Sequence, residues 1–130
     1  MLTLASIIQR EAANNDDMAM VSSVLHNRLK NGASQDIYTL DCDSTMYYPY
    51  RTIDDVPEDE RETFLSTYNT YTLRGLPPGP ICNPGMAAIE AALNPTDTNY
   101  YYFCHDADGN AYYAQTAAEH QQNLVEAGLR

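Results

Sequence analysis

Between Gly75 and Gly85 seven of the eleven residues are glycine or proline, so no helix or central strand runs through this stretch. Each proline fixes its own φ, and the segment GLPPGPICNPG therefore reads as a rigid loop and not as a flexible linker. The regular elements of the 130-residue chain have to lie on either side of it. That length suits one domain with a sizeable core, and no repeat, low-complexity tract or domain boundary interrupts it.

On the N-terminal side, Leu2 to Ala13 reads as a helix with Leu4, Ile7 and Ile8 on one face. Glu11 falls on that same face, and Gln9 points the opposite way. Asn14-Asn15-Asp16-Asp17 breaks the helix and offers N-cap residues. Met18 to Lys30 forms a second amphipathic helix, antiparallel to the first, with Asn31-Gly32 as its expected left-handed stop. Residues 33–56 read as irregular, and the Pro-first, acid-rich PEDERETFL suits a short helix. Beyond the rigid loop, Asn83 is expected to cap a helix that has Pro84 at its first position and ends near Leu93. YYYFCH and AYYA flank DADGN, the pattern of a β-hairpin. Thr116 to Glu119 is a capping box for a last helix that Gly128 stops. The expected fold class is α+β: one mostly helical domain with a small antiparallel hairpin or sheet.

Composition narrows the partners. Seven basic against eighteen acidic residues leave a net charge of −11, which argues against nucleic acid and against anionic membrane surfaces. No run of eighteen apolar residues spans a membrane, and the N-terminus has no signal-peptide pattern. Cys42, Cys82 and Cys104 form no CxxC pair, so no zinc or redox motif is read here, and all three are expected as free thiols. His26, His105 and His120 lack metal-ligand spacing; no metal and no cofactor are expected, and His26 and His120 read as structural hydrogen-bonders. Eleven tyrosines beside two phenylalanines and no tryptophan suit a wet groove for a polar ligand.

Three places carry candidate chemistry. A carboxyl among Leu4, Ile7 and Ile8 loses hydration of its charged form, so the pKa of Glu11 should rise, as a general acid near neutral pH requires. The other reading is a glutamate paired with a nearby arginine. Asp43, in LDCDSTMYY, is either a second carboxylate across a groove or a turn-capping residue. Tyr68, Asn69 and Tyr71 form a polar aromatic cluster that either binds sugar or makes a turn with core tyrosines.

Six segments in order then point to a family: LASIIQREA with VLHNRL, LDCDSTMYY, YNTYTLRGLPPGPICNPG, AIEAALNP, YYYF and TAAEHQQN. Over nearly all its length the chain resembles the YceG-like endolytic murein transglycosylases. These cleave the β-1,4 bond between N-acetylmuramic acid and N-acetylglucosamine and leave a 1,6-anhydromuramic end. The resemblance implies Glu11 as the catalytic acid, with Asp43, Tyr68, Asn69 and Tyr71 as substrate-binding residues and no cofactor. It implies a lysozyme-like arrangement around the acid, peptidoglycan strands as substrate, and cell-wall synthases as partners. Family members carry an N-terminal membrane helix and a LysM-like domain that these residues lack. The expectation is thus that residues 1–130 are the catalytic domain of an extracytoplasmic, membrane-anchored protein. Two departures stand out. Gln9 occupies a position where the family often has a second acid, so Glu11 would act alone. Ala111 stands where the family's hairpin often has histidine. A lysozyme-type muramidase using Glu11, Asp43 and water is the competing enzyme reading, and a non-catalytic glycan-binding module is the competing non-enzyme one.

Overall fold

The N-terminal periodicity folds as helix α1 (Leu2–Glu11), and Leu4, Ile7 and Ile8 of its apolar stripe are buried. The computed structural model describes residues 1–46, 48, 53–55, 57–60 and 67–129. Among them, α1 is followed by α2 (Asn15–Asn31), α3 (Met86–Leu93), strands β1 (Tyr102–His105) and β2 (Ala111–Ala114), and α4 (Ala117–Glu126). The α+β class expected from the sequence is the one observed. The core lies where α1, α2 and α3 meet, around Ile7, Ile8, Val21, Leu25, Ala88 and Ala92. None of the described helices is long and apolar enough to cross a membrane.

Helix ends explain most of the remaining geometry. Asn14 caps α2 by accepting from the Asp17 N–H, while the Asp17 carboxylate accepts from the Ala13 N–H. Helix α4 repeats the device with Thr116, Glu119 and the Gln115 N–H. The expected left-handed stop at Gly32 is not there. Gly32 is right-handed helical with φ −56°, a 3-10 turn continues to Gln35, and Asp36 is the left-handed residue at φ 58°. Glycine serves at position 32 for another reason: a Cβ there would come within 2.5 Å of the Ile37 carbonyl oxygen.

The rigid loop is fixed to α1 by two side chains. Ser6 Oγ accepts from the Ile81 N–H at 3.0 Å, and Gln9 Oε1 accepts from the Gly85 N–H at 2.9 Å. This pinning corrects the expected start of α3. Asn83 and Pro84 remain in the loop, Gly85 is the N-cap, and helix begins only at Met86, beyond the last tether. Gln9 therefore has work on the side of α1 away from Glu11. The short helix expected from Pro57 lies for its greater part outside the described residues; Glu58–Glu60 is a 3-10 turn.

Three consecutive residues of α2 then dock the C-terminal half by binding its backbone carbonyls. His26 Nε2 donates to Ala92, Asn27 Nδ2 to Thr98 and Tyr100, and Arg28 Nε to Tyr101. Arg28 Nη1 reaches the other way, to the carbonyl of Thr39 at 2.9 Å. The hairpin pairs Tyr102 with Ala114 through His105 with Ala111, so Phe103, His105, Ala111 and Tyr113 share one face. On the opposite face Tyr102 stacks on His120 of α4, with ring centroids 5.0 Å apart.

Candidate active site

Glu11 is the last residue of α1, one turn beyond the buried Ile7. It lines an open cavity of about 530 Å³ together with Asp43, Tyr71, Phe103 and His105. Its Oε1 accepts two bonds from Ser44, from the backbone N–H at 3.2 Å and from the hydroxyl at 2.8 Å. Among the described residues Oε2 accepts none. Burial pushes the Glu11 carboxyl above its ordinary range, as the helical stripe implied. The two Ser44 bonds oppose that rise, the negative charge of Asp43 adds to it, and His105 pulls weakly downward. No arginine pairs with Glu11 among the described residues; Arg51 and Arg61 lie outside them.

The wall that carries Ser44 is fastened by buried hydroxyls. Thr70 Oγ1 accepts from the Cys42 N–H at 2.8 Å and lies 2.8 Å from Thr45 Oγ1, which in turn donates to the Cys42 carbonyl. Both threonines are fully buried, so this network fixes the 3-10 turn Asp43–Thr45 against residues 69–71. Asp43 accepts a short hydrogen bond from the Tyr71 hydroxyl. Burial first, and the bond to Asp43 second, push that hydroxyl well above its usual range, so it stays a proton donor.

The structure thus brings Glu11, Asp43 and Tyr71 to one cavity. Tyr68 and Asn69 are placed elsewhere. Tyr68 packs on the core with its ring 4.7 Å from that of Tyr48. Asn69 Oδ1 accepts from the Tyr71 N–H and its carbonyl accepts from Thr72 and Leu73, so it orders its own turn.

The facing wall contains residues that sequence reasoning passed over. Asp17, with a side chain only 5% exposed, accepts from the Ala13 N–H at 3.1 Å, from the Tyr113 hydroxyl, and from His105 Nε2 at 2.5 Å. Asp17 thereby ties the chain two residues past Glu11 to both strands of the hairpin. The one sequence signal was that alternation in YFCH and AYYA puts His105 and Tyr113 on the same face. Among the described residues no group of three His, Cys, Asp or Glu side chains is placed to hold a metal. Cys42, Cys82 and Cys104 are all free thiols.

The sequence matches the YceG-like family over residues 1–126. The chain belongs to that family. It is 38% identical over 122 residues to an endolytic murein transglycosylase of Bacillus subtilis, covering 94% of this chain and 32% of the relative. An endolytic murein transglycosylase of Streptococcus pneumoniae is 32% identical over 129 residues, covering 97% of this chain and 23% of the relative. The chain spans about a third or less of the length of these curated relatives. Its fold superposes on the crystal structure of a YceG-like protein from Listeria monocytogenes with a TM-score of 0.73 at 37% identity, covering 93% of this chain and 38% of that one. Within this YceG-like domain, Ala111 lies directly opposite His105 in the strand register.

Proposed function

We propose that this domain is an endolytic murein transglycosylase that breaks the β-1,4 bond between N-acetylmuramic acid and N-acetylglucosamine. One observation supports the reading above all others: Glu11, raised by burial, stands on the wall of an open cavity with Oε1 held by Ser44 and Oε2 unengaged among the described residues. A carboxyl so placed carries its proton on Oε2 and delivers it to the glycosidic oxygen. The C1–O bond then breaks, leaving positive charge at C1 of the muramic residue and a carboxylate on Glu11. The muramic C6 hydroxyl closes on C1, and its proton passes to Glu11. The acid is regenerated, the products are an anhydro end and a free 4-hydroxyl, and no water is consumed.

One residue serves both steps because they are successive. Asp43 has no covalent step to perform; engaged by Tyr71, it suits contact with sugar hydroxyls and ordering of the cavity wall. Its place on the same cavity keeps a hydrolase with an activated water as the competing reading. The substrate lies outside the cytoplasm. The reading therefore puts the parent protein, anchored in the membrane, at the extracytoplasmic face, with cell-wall synthases as candidate partners.

The test is product mass from isolated peptidoglycan. Anhydromuropeptides are expected from the native protein, and Glu11→Gln should lower their release by at least about 100-fold while leaving the fold intact. Products heavier by one water would make the protein a muramidase. Undiminished anhydro products from a folded Glu11→Gln variant would remove Glu11 from the mechanism.

A further inference from the structure

The hairpin wall of the cavity joins a carboxylate to an imidazole, where the loop wall joins the Asp43 carboxylate to a phenol. Asp17 is nearly inaccessible, yet it takes bonds from three groups on three segments. One of them, His105, lines the Glu11 cavity. The separation of 2.5 Å between His105 Nε2 and the Asp17 carboxylate is short even for a charge-assisted bond. Tyr113, whose hydroxyl occupies the other carboxylate oxygen, and the Ala13 N–H fix Asp17 so that the imidazole has one place to sit.

We propose that His105, clamped by Asp17, is a positioning residue for Glu11 that supplies the positive charge facing the carboxylate after its proton has left. The argument rests on charge balance around one cavity. Glu11 shares it with Asp43 from the turn after Cys42, Asp41 from the segment before it, and Tyr71. Helix α2 contributes Arg28 and, behind the wall, Asp17; β1 contributes Cys104 and His105, β2 Tyr113, and α4 His120. Arg28 is committed to backbone carbonyls and to Asp41, at 3.4 Å. His105 is bonded instead to the Asp17 carboxylate, and its influence on Glu11 favours the carboxylate.

Asp17 alone would put a second negative charge behind Glu11 and hold the proton on it. With His105 charged, the pair is neutral, and Glu11 can give its proton up and take one back. Position 111 offers a second seat for the same charge. Ala111 is opposite His105 in the register, so its Cβ lies on the same face within roughly 5 Å of that of His105.

This proposal rests on the reading of Glu11 as the proton donor, and the experiment separates the two. Glu11 is titrated by carboxyl ¹³C NMR in the unmodified protein, in His105→Gln, in His105→Ala and in His105→Ala/Ala111→His, with peptidoglycan cleavage measured across the same pH range. His105→Gln retains an N–H for Asp17 and removes the charge. Its Glu11 midpoint should move to higher pH, and the descending limb of the cleavage profile should move with it. The double variant should return both toward the original position, which a purely structural histidine would not do. An unchanged Glu11 midpoint in folded His105→Gln overturns the proposal. If the midpoint moves but the unmodified protein releases no anhydromuropeptides, His105 still governs Glu11, and it is the catalytic reading that falls.

Discussion

The two walls beside Glu11 solve one problem with different chemistry. The loop wall, residues 42–45 and 69–71, is set by neutral hydroxyls: Thr45 and Thr70 are buried, bonded to each other and to the backbone of Cys42. The hairpin wall is set by a buried carboxylate holding an imidazole and a phenol. Hydroxyl networks keep their bonding from acid to base, whereas the hairpin wall is held by ionisable side chains. The difference teaches where control can reside. The loop wall touches Glu11 directly, through the two Ser44 bonds, and the hairpin wall acts on it through space, through His105.

The comparison can be broken most severely at Thr70. Thr70→Val leaves the buried Cys42 N–H without its acceptor, and a loss of about 1–3 kcal/mol of unfolding free energy is expected. Urea denaturation should show that loss equally at pH 5 and pH 8; a loss confined to one pH would mean that the loop wall titrates after all. Ser44→Ala comes next. It removes the hydroxyl bond to Glu11 but keeps the backbone one, so cleavage should fall about tenfold, or ~1.4 kcal/mol. Because that bond favours the carboxylate, the Glu11 midpoint should rise further. Asp43→Asn is the mildest. The Tyr71 hydroxyl keeps an acceptor, activity should fall only a few-fold, and the products should remain anhydro species. Removing the negative charge shifts the Glu11 midpoint down, opposite in sign to Ser44→Ala. Two loop-wall variants that moved Glu11 in the same direction would contradict this assignment of causes.

Local rules made the helical frame readable. The stripe of α1, the caps at Asn14 and Thr116 and the hairpin around DADGN are all encoded within a few residues of where they act. Glu11 was readable for the same reason, since its oddity is its place on its own helix. What the sequence concealed depends on distance along the chain. Ser44 reaches Glu11 across 33 residues, and His105 reaches Asp17 across 88. Neither pairing has a periodicity to betray it. Gly32 and Asn83 misled because residue type alone suggested caps; at Gly32 close approach to Ile37, and at Asn83 a loop tethered to α1, decided the geometry.

Arg28 acquires a further meaning from this arrangement. Its Nε is bound to Tyr101 at the foot of the hairpin and its Nη1 to Thr39 at the foot of the loop wall, so a single planar group bridges both sides of the cleft. The span of a guanidinium is fixed by its bond lengths. Arg28 therefore acts as a calliper: it sets the separation between the two walls and keeps them from drifting apart. A lysine, with a single nitrogen to anchor, would hold one jaw and release the other. The gauge of the cleft is built into helix α2, which carries Arg28 to the wall of the cavity that Glu11 also lines.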